Sequence, residues 1–245
     1  MSRDPYTYFE VNELTNQQKH SLVELKRILE FLKKHNIKVW AHFGTLIGAI
    51  RHGGFIPWDD DIDFGILRED YEKLWELFKT DEYYKDKFCF HPSLAIEFED
   101  IKIDFFPFDK YYRALAPFDT DLHLRLKELR QKITYLGAEH NFMPNISYEE
   151  CKKMTQSLLD GKEATGPGLF MGVDYNWHRC SSKFQNLDDI FPLKELYFNN
   201  VMIPVPNNPE KVLEGLFLAP IMTLPNKENR SENKHNLKGK DNESI

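Results

Sequence analysis

The segment from Trp58 to Ile66 reads WDDDIDFGI and places Asp59, Asp60, Asp61 and Asp63 within five residues. From Asp61 onward the chain alternates. Asp61, Asp63 and Gly65 fall on one side, and Ile62, Phe64 and Ile66 on the other, which predicts a strand with its apolar face on a core. Like charges about 4 Å apart repel by about 1 kcal/mol in water and by about 4 kcal/mol at an effective dielectric of 20. Carboxylates crowded onto such a strand therefore need protons, basic partners or a divalent cation. The basic residues nearest in sequence are Arg51, His52 and Arg68, too few to pair four aspartates. A hard, oxygen-seeking cation, Mg²⁺ or Mn²⁺, is the simplest remedy.

Two further segments bear on that site. "KVWAHF" predicts a strand, and "TLIGAIRH" a short helix begun at Gly44 and broken by "GGFIP". A strand–glycine–helix turn at Gly44 and Thr45 offers free backbone N–H groups and a positive dipole end, both suited to phosphate. No GK[ST] follows, so this is not a Walker loop. Downstream, "IKIDFFPF" predicts a strand with Ile101, Ile103 and Phe105 facing one way and Lys102 and Asp104 the other. Asp104 is then a third carboxylate for Asp61 and Asp63, and these three are the predicted metal ligands. Asp60 is expected to be a solvated turn residue. Arg51 is open to a phosphate or to one of the aspartates. Lys102 is open to a phosphate contact or, by preference, a salt bridge. His42 is expected to pack beside Trp40. A calcium loop starting at Asp59 is rejected, because Phe64 stands where its turn needs glycine and Asp70 where it needs glutamate. A phosphate cradle next to a divalent-cation site predicts chemistry at phosphorus.

The rest of the chain supplies a scaffold. "NQQKHSLVELKRILEFLKKHNI" has helical spacing with Thr15 or Asn16 as cap, and "REDYEKLWELFK" is a second helix. "LAIEFED" predicts a strand. Helices are expected over 119–136 and 147–159. "KELYFNNVMIPVP" predicts a hairpin turning at Asn199-Asn200, and "NPEKVLEGLF" a short helix with Pro209 in its first turn. After Pro225 the chain is polar and charged, and disorder is expected. This predicts an N-terminal extension over 1–14, a core over 15–118, a helical and hairpin C-terminal part over 119–225 packed on it, and a polar tail over 226–245.

Other functions are argued against by what the sequence holds. The net charge of -7 over 245 residues argues against nucleic-acid binding. Three scattered cysteines with no CxxC pair suit neither a disulfide framework nor a zinc site. HExxH, GxSxG and GxGxxG are absent from the sequence. The N-terminal residues lack a signal-peptide core, and no apolar run approaches the roughly 18 residues of a membrane span. A soluble, cytoplasmic protein is expected.

"FGTLIGAIRHGGFIPWDDDIDFGI" resembles the signature of the LicD family, which includes fukutin and fukutin-related protein. "IKIDFFPFD" and "IFPLKELYFNNVMIPVPNNPEKVL" resemble its downstream blocks. The resemblance covers roughly residues 20 to 225. It implies an α+β fold with a nucleotidyltransferase-like mixed sheet flanked by helices. It also implies transfer of a substituted phosphate (phosphocholine, ribitol phosphate or glycerol phosphate) from a CDP-activated donor to a hydroxyl of a surface glycan or its lipid-linked precursor. CMP would leave, and a lipid-linked acceptor would bring the protein to the membrane face. The motif maps onto Gly44 and Thr45 for the turn, Asp61 and Asp63 for paired ligands, Asp104 for the third, and Asp59 for a further acidic position, with Mg²⁺ or Mn²⁺ as cofactor. Asp59 or Asp104 would take the acceptor proton. A phosphocholine donor would call for an aromatic cage, with Trp40, Trp58, Tyr111, Tyr112 and Trp177 as candidates, although core packing is the expectation for each. The family's aromatic-glycine step is replaced here by Leu216-Phe217-Leu218. Two rival readings are a DxD glycosyltransferase using a nucleotide sugar and a non-catalytic nucleotide-binding protein.

Overall fold

The computed structural model describes residues 13–90, 94–111, 153, 168–171, 184–216 and 222–224. The predicted helix over 119–136, nearly all of that over 147–159, the polar tail, and Tyr112 and Trp177 fall outside these residues.

Helix α1 (Asn16–Lys34) starts at Thr15, whose hydroxyl accepts the Gln18 N–H while the Gln18 side chain accepts the Thr15 N–H. This reciprocal capping box satisfies two donors that the helix itself leaves unpaired. Leu25, Ile28 and Leu32 recur at helical spacing and are buried. There follow β1 (Val39–Ala41), α2 (Phe43–His52), β2 (Ile62–Leu67), α3 (Arg68–Thr80), β3 (Phe88–Phe90), β4 (Leu94–Phe98) and β5 (Ile101–Tyr111). Beyond them are β6 (Gly168–Met171), β7 (Phe184–Asn186), α4 (Leu187–Ile190), β8 (Lys194–Phe198), β9 (Val201–Val205) and α5 (Pro209–Leu216). The hairpin and Pro209 at the first turn of α5 stand as predicted. Three- and four-residue pieces such as β3, β6, β7 and α4 are too short to show a period, and the sequence did not reveal them.

The sheet runs β1-β2-β5-β4-β3, with β6 added to β5 and β7 to β6. β2 and β5 are parallel, and the remaining pairs are antiparallel. The sheet is therefore mixed and the fold is α+β, as expected. In the β2–β5 register Ile62 lies opposite Ile103, and Asp63 opposite Asp104.

β2 departs from the expected one-sided strand. Ile62 through Ile66 are all buried. The side with Asp63 and Gly65 is covered as well, because Trp40 is the cross-strand partner of Gly65 and its indole lies where a Cβ on Gly65 would sit. Glycine is required there by close approach. Trp40 is fully buried and packs on Phe108 and Phe191, so it is a core residue.

The β8–β9 hairpin turns at Asn199 and Asn200, with φ of 45° and 67°. Asparagine tolerates this left-handed conformation, which a two-residue hairpin loop demands. Asn199 N–H donates to the Gly53 carbonyl at 2.8 Å, and its side-chain oxygen accepts the Phe55 N–H at 2.7 Å. Phe198 packs edge-on against Phe55 at 4.8 Å between centroids. The hairpin tip thereby braces the bend that leads from α2 to the aspartates.

Candidate metal and phosphate site

β1 ends at Ala41, and the chain turns at once into α2. His42 N–H donates to the Asp63 carbonyl at 2.9 Å, and Thr45 Oγ1 accepts the Asp63 N–H at 2.8 Å. The turn before α2 is thus stitched to the acidic strand. Among the described residues, no side chain caps the start of α2, which begins at Phe43, one residue earlier than predicted. A Cβ on Gly44 would overlap Asp59 Oδ2 and lie 3.8 Å from Asp63 Oδ2. The missing side chain at 44 opens the space beside these two carboxylates.

Asp61, just before β2, Asp63 in β2 and Asp104 in β5 each bring one oxygen to a common locus, all within 4.8 Å of one another. All three are the predicted ligands, and the parallel register brings Asp104 opposite Asp63. Asp63 and Asp104 are 7% and 4% exposed. Lys102, two residues before Asp104, lies 3.0 Å from Asp104 Oδ2 and 4.0 Å from Asp61 Oδ2. Of its two predicted roles the structure shows the salt bridge. Arg51 is buried, with Nε 3.4 Å from His52 Nδ1 and a guanidinium nitrogen 3.5 Å from the Thr223 carbonyl. Asp70 accepts the Lys38 N–H at 3.0 Å, a position that supports rejecting the calcium loop.

Asp60 corrects an expectation. It is 9% exposed rather than solvated, and with Asp59 and Asp61 it forms a second group of oxygens within 4.8 Å. The alternation placed it off the polar face, but the loop before β2 is not a strand, so period two does not govern it. Gln18 was also missed. Its amide donates to the Asp59 carbonyl at 2.8 Å and the Ile56 carbonyl at 3.4 Å, holding the acidic loop against α1. A contact across so many residues leaves no local signal.

Burial first, then the neighbouring Asp61 and Asp60, pushes Asp59 up to about 8. Asp61 is raised by burial, against the pull of Lys102 and with the push of Asp104 and Asp60. Asp63 is raised well above the usual carboxylate range by burial, then by Asp61, Asp104 and Asp59. Burial alone would lower Lys102, but Asp104 and Asp61 outweigh it and its pKa rises. A site that holds carboxylates against ionisation is matched to a cation that displaces the protons. The donors are oxygens only, the set that hard divalent cations prefer. His42 is fully buried among Phe43, Phe106 and Phe108, and burial lowers it to about 3. It is a neutral packed residue.

Among the described residues, no helix is long and apolar enough to cross a membrane. A family model described as LicD/FKTN/FKRP, nucleotidyltransferase domain, matches residues 36–168. An uncharacterized protein of Rickettsia typhi is 36% identical over 180 residues, 58% of this chain and 58% of its own. The lipopolysaccharide cholinephosphotransferase LicD of Haemophilus influenzae is 56% identical over 43 residues, 17% of this chain and 16% of its own. The human ribitol 5-phosphate transferase FKRP is 44% identical over 43 residues, 18% of this chain and 9% of its own. The matched segment thus spans less than two thirds of the length of each of these relatives.

Proposed function

The chain belongs to the LicD/FKTN/FKRP family, and we propose that it transfers a substituted phosphate from a CDP-activated donor to a hydroxyl of a glycan or of its lipid-linked precursor, releasing CMP. The observation that carries this is the convergence of Asp61, Asp63 and Asp104 within 4.8 Å beside the side-chain-free turn at Gly44. Two similar proteins bear the names cholinephosphotransferase and ribitol 5-phosphate transferase, and a phosphate-transferring enzyme is what those names have in common.

Asp61, Asp63 and Asp104 would hold Mg²⁺ or Mn²⁺, which when bound supplies positive charge to the donor diphosphate and to leaving CMP. The Gly44 turn and the first N–H groups of α2 would receive phosphate oxygens, and the Thr45 hydroxyl proton is available for another. Lys102 adds a positive charge at the edge of the carboxylates, and Arg51 is the second cation assigned to the donor. Asp59 holds a proton near neutral pH in the metal-free chain. Once ionised it can accept the proton of the attacking hydroxyl, a role also open to Asp104. The acceptor is a surface polysaccharide intermediate, and one carried on lipid would place the reaction at a membrane face.

The test is CMP release from CDP-choline, CDP-ribitol and CDP-glycerol in turn, with Mg²⁺ or Mn²⁺, an EDTA control and Asp61→Asn. Metal-dependent CMP from one donor, abolished in the variant, is expected. Turnover undiminished in Asp61→Asn would sink the scheme. Release of a nucleoside diphosphate from a nucleotide sugar would move the reaction from phosphorus to carbon.

A further inference from the structure

We propose that the exposed side of α1 is a docking surface for an anionic phospholipid membrane, built from Lys19, Lys26, Lys33 and Lys34 around Val23. This goes beyond the reaction proposed above and does not depend on it.

Charge segregation carries it. The chain bears a net charge of -7, yet the exposed charged side chains of α1 are Lys19, Lys26, Arg27, Lys33 and Lys34 against the acid Glu30, and Lys38 follows just past the helix. The other acid of α1, Glu24, is buried and accepts the hydroxyls of Tyr83 and Tyr84. Lys19, Lys26 and Lys33 recur every seven residues and so share one side of the helix, with Lys34 bordering it across Val23. Among the described residues, Lys19, Lys26, Lys33, Lys34 and Lys38 make no ion pair. The cations of α3 are spent differently. Arg68 pairs with Asp109, Lys79 pairs with Glu76, and Lys73 donates to the His35 carbonyl. An ordinary solvated face intersperses both signs, whereas a basic helix face reads as membrane-directed.

The shape of the face selects the partner. Val23 is 63% exposed amid the lysines. It borders a hollow of about 230 Å³ whose wall includes Phe98 and Ile101. An apolar tip ringed by ammonium groups suits a headgroup layer, where the tip enters and the lysines meet phosphates. From Lys19 to Lys34 the stripe is convex and about 22 Å long, so a flat anionic surface can meet all of it. A protein partner would need a matching groove and an apolar centre, and this face offers little beyond Val23. Gln18, on the buried side of the same helix, holds the Ile56 and Asp59 carbonyls. A membrane against the lysines therefore lies within about one helix diameter of the acidic loop.

The experiment is co-sedimentation of the full chain with vesicles of phosphatidylcholine, alone or mixed with phosphatidylglycerol. EDTA is present, so that no divalent cation bridges carboxylates to lipid. Binding to the mixed vesicles in low salt, absent on phosphatidylcholine alone and lost at about 0.5 M salt, is expected. Each lysine at an anionic surface contributes about fivefold in affinity. Lys19→Gln, Lys26→Gln, Lys33→Gln and Lys34→Gln combined should therefore weaken binding by at least about 100-fold. Glutamine keeps the helix propensity, and circular dichroism confirms the fold. Lys194→Gln with Lys211→Gln, on β8 and α5, should bind like wild type. No binding of wild type to the mixed vesicles overturns the proposal, as does binding kept in the fourfold variant. An equal loss in the β8 and α5 variant overturns it too, because net charge and not this face would then be at work. Unbound vesicles together with a dimer in low salt, seen by light scattering and lost in the fourfold variant, would give the face to a second copy of the chain and overturn the membrane. CMP release needs no vesicle, so each of these failures leaves the proposed function standing.

Discussion

Asp63 and Asp104 lie opposite each other on the parallel strands β2 and β5. Both are buried, and the strand register brings together two carboxylates that their in–out patterns had marked as partners. Their side chains converge with Asp61 on one locus, where mutual repulsion and desolvation oppose ionisation. Asp63→Asn should therefore raise the thermal stability of the metal-free chain while lowering metal-dependent turnover by about 100-fold or more, the order found when a preorganised electrostatic group is lost. Unfolding curves in EDTA and initial rates in Mn²⁺ check the two halves separately. A variant less stable than wild type in EDTA would contradict the electrostatic account.

The pH dependence of stability has a definite sign. Asp59 titrates at about 8 in the folded chain and near the ordinary carboxylate value when unfolded. Between those values the native state binds more protons, so metal-free stability falls as pH rises through that window. A bound divalent cation reverses this, because it requires the ionised carboxylates and displaces their protons. In EDTA the melting temperature should be higher at pH 5 than at pH 8. The stabilisation by 10 mM Mg²⁺ (about that concentration suffices when it greatly exceeds Kd) should be larger at pH 8 than at pH 5.

Gly44→Ala separates stability from function. Alanine is favoured over glycine within a helix by about 1 kcal/mol, so α2 should not weaken much. The new Cβ would overlap Asp59 Oδ2, the mobile end of a side chain, and push that carboxylate aside. Turnover should fall by at least about 10-fold, with melting temperature nearly unchanged, since misplacing a reacting group by about 1 Å is enough for such a loss.

Asn199 tests the brace on the bend. Asn199→Ala removes the acceptor of the Phe55 N–H and places a residue less suited to φ of 45° at the hairpin turn. The two effects together should destabilise the chain by about 2 kcal/mol. Asn199→Gly restores the backbone freedom but not the hydrogen bond, so it should lose about half as much. Chemical denaturation of the three proteins reads the difference directly.

Much of the scaffold was legible because it depends on near neighbours. Thr15 or Asn16 marked the start of α1, Leu25, Ile28 and Leu32 mark a buried helical face, and Asn199-Asn200 names its own turn. The period-two run after Asp61 located β2, and the same pattern in "IKIDFFPF" located β5. The short pieces β3, β6, β7 and α4 carried no readable period. Asp60 was misplaced because an alternation that holds in the strand was carried one step too far into the loop before it.

The sequence by itself determined the chain segments that become β2 and β5 and the excess of carboxylate that demands compensation. Both follow from local spacing and composition, whereas the α+β class was what the family resemblance implied. Only the tertiary structure decided that Asp104 stands opposite Asp63, that Lys102 joins Asp61 to Asp104, that Gly44 opens beside Asp59, and that Asp60 is buried. Strand register and the approach of side chains from distant segments are set by packing the whole core, and a periodicity read along one strand contains neither.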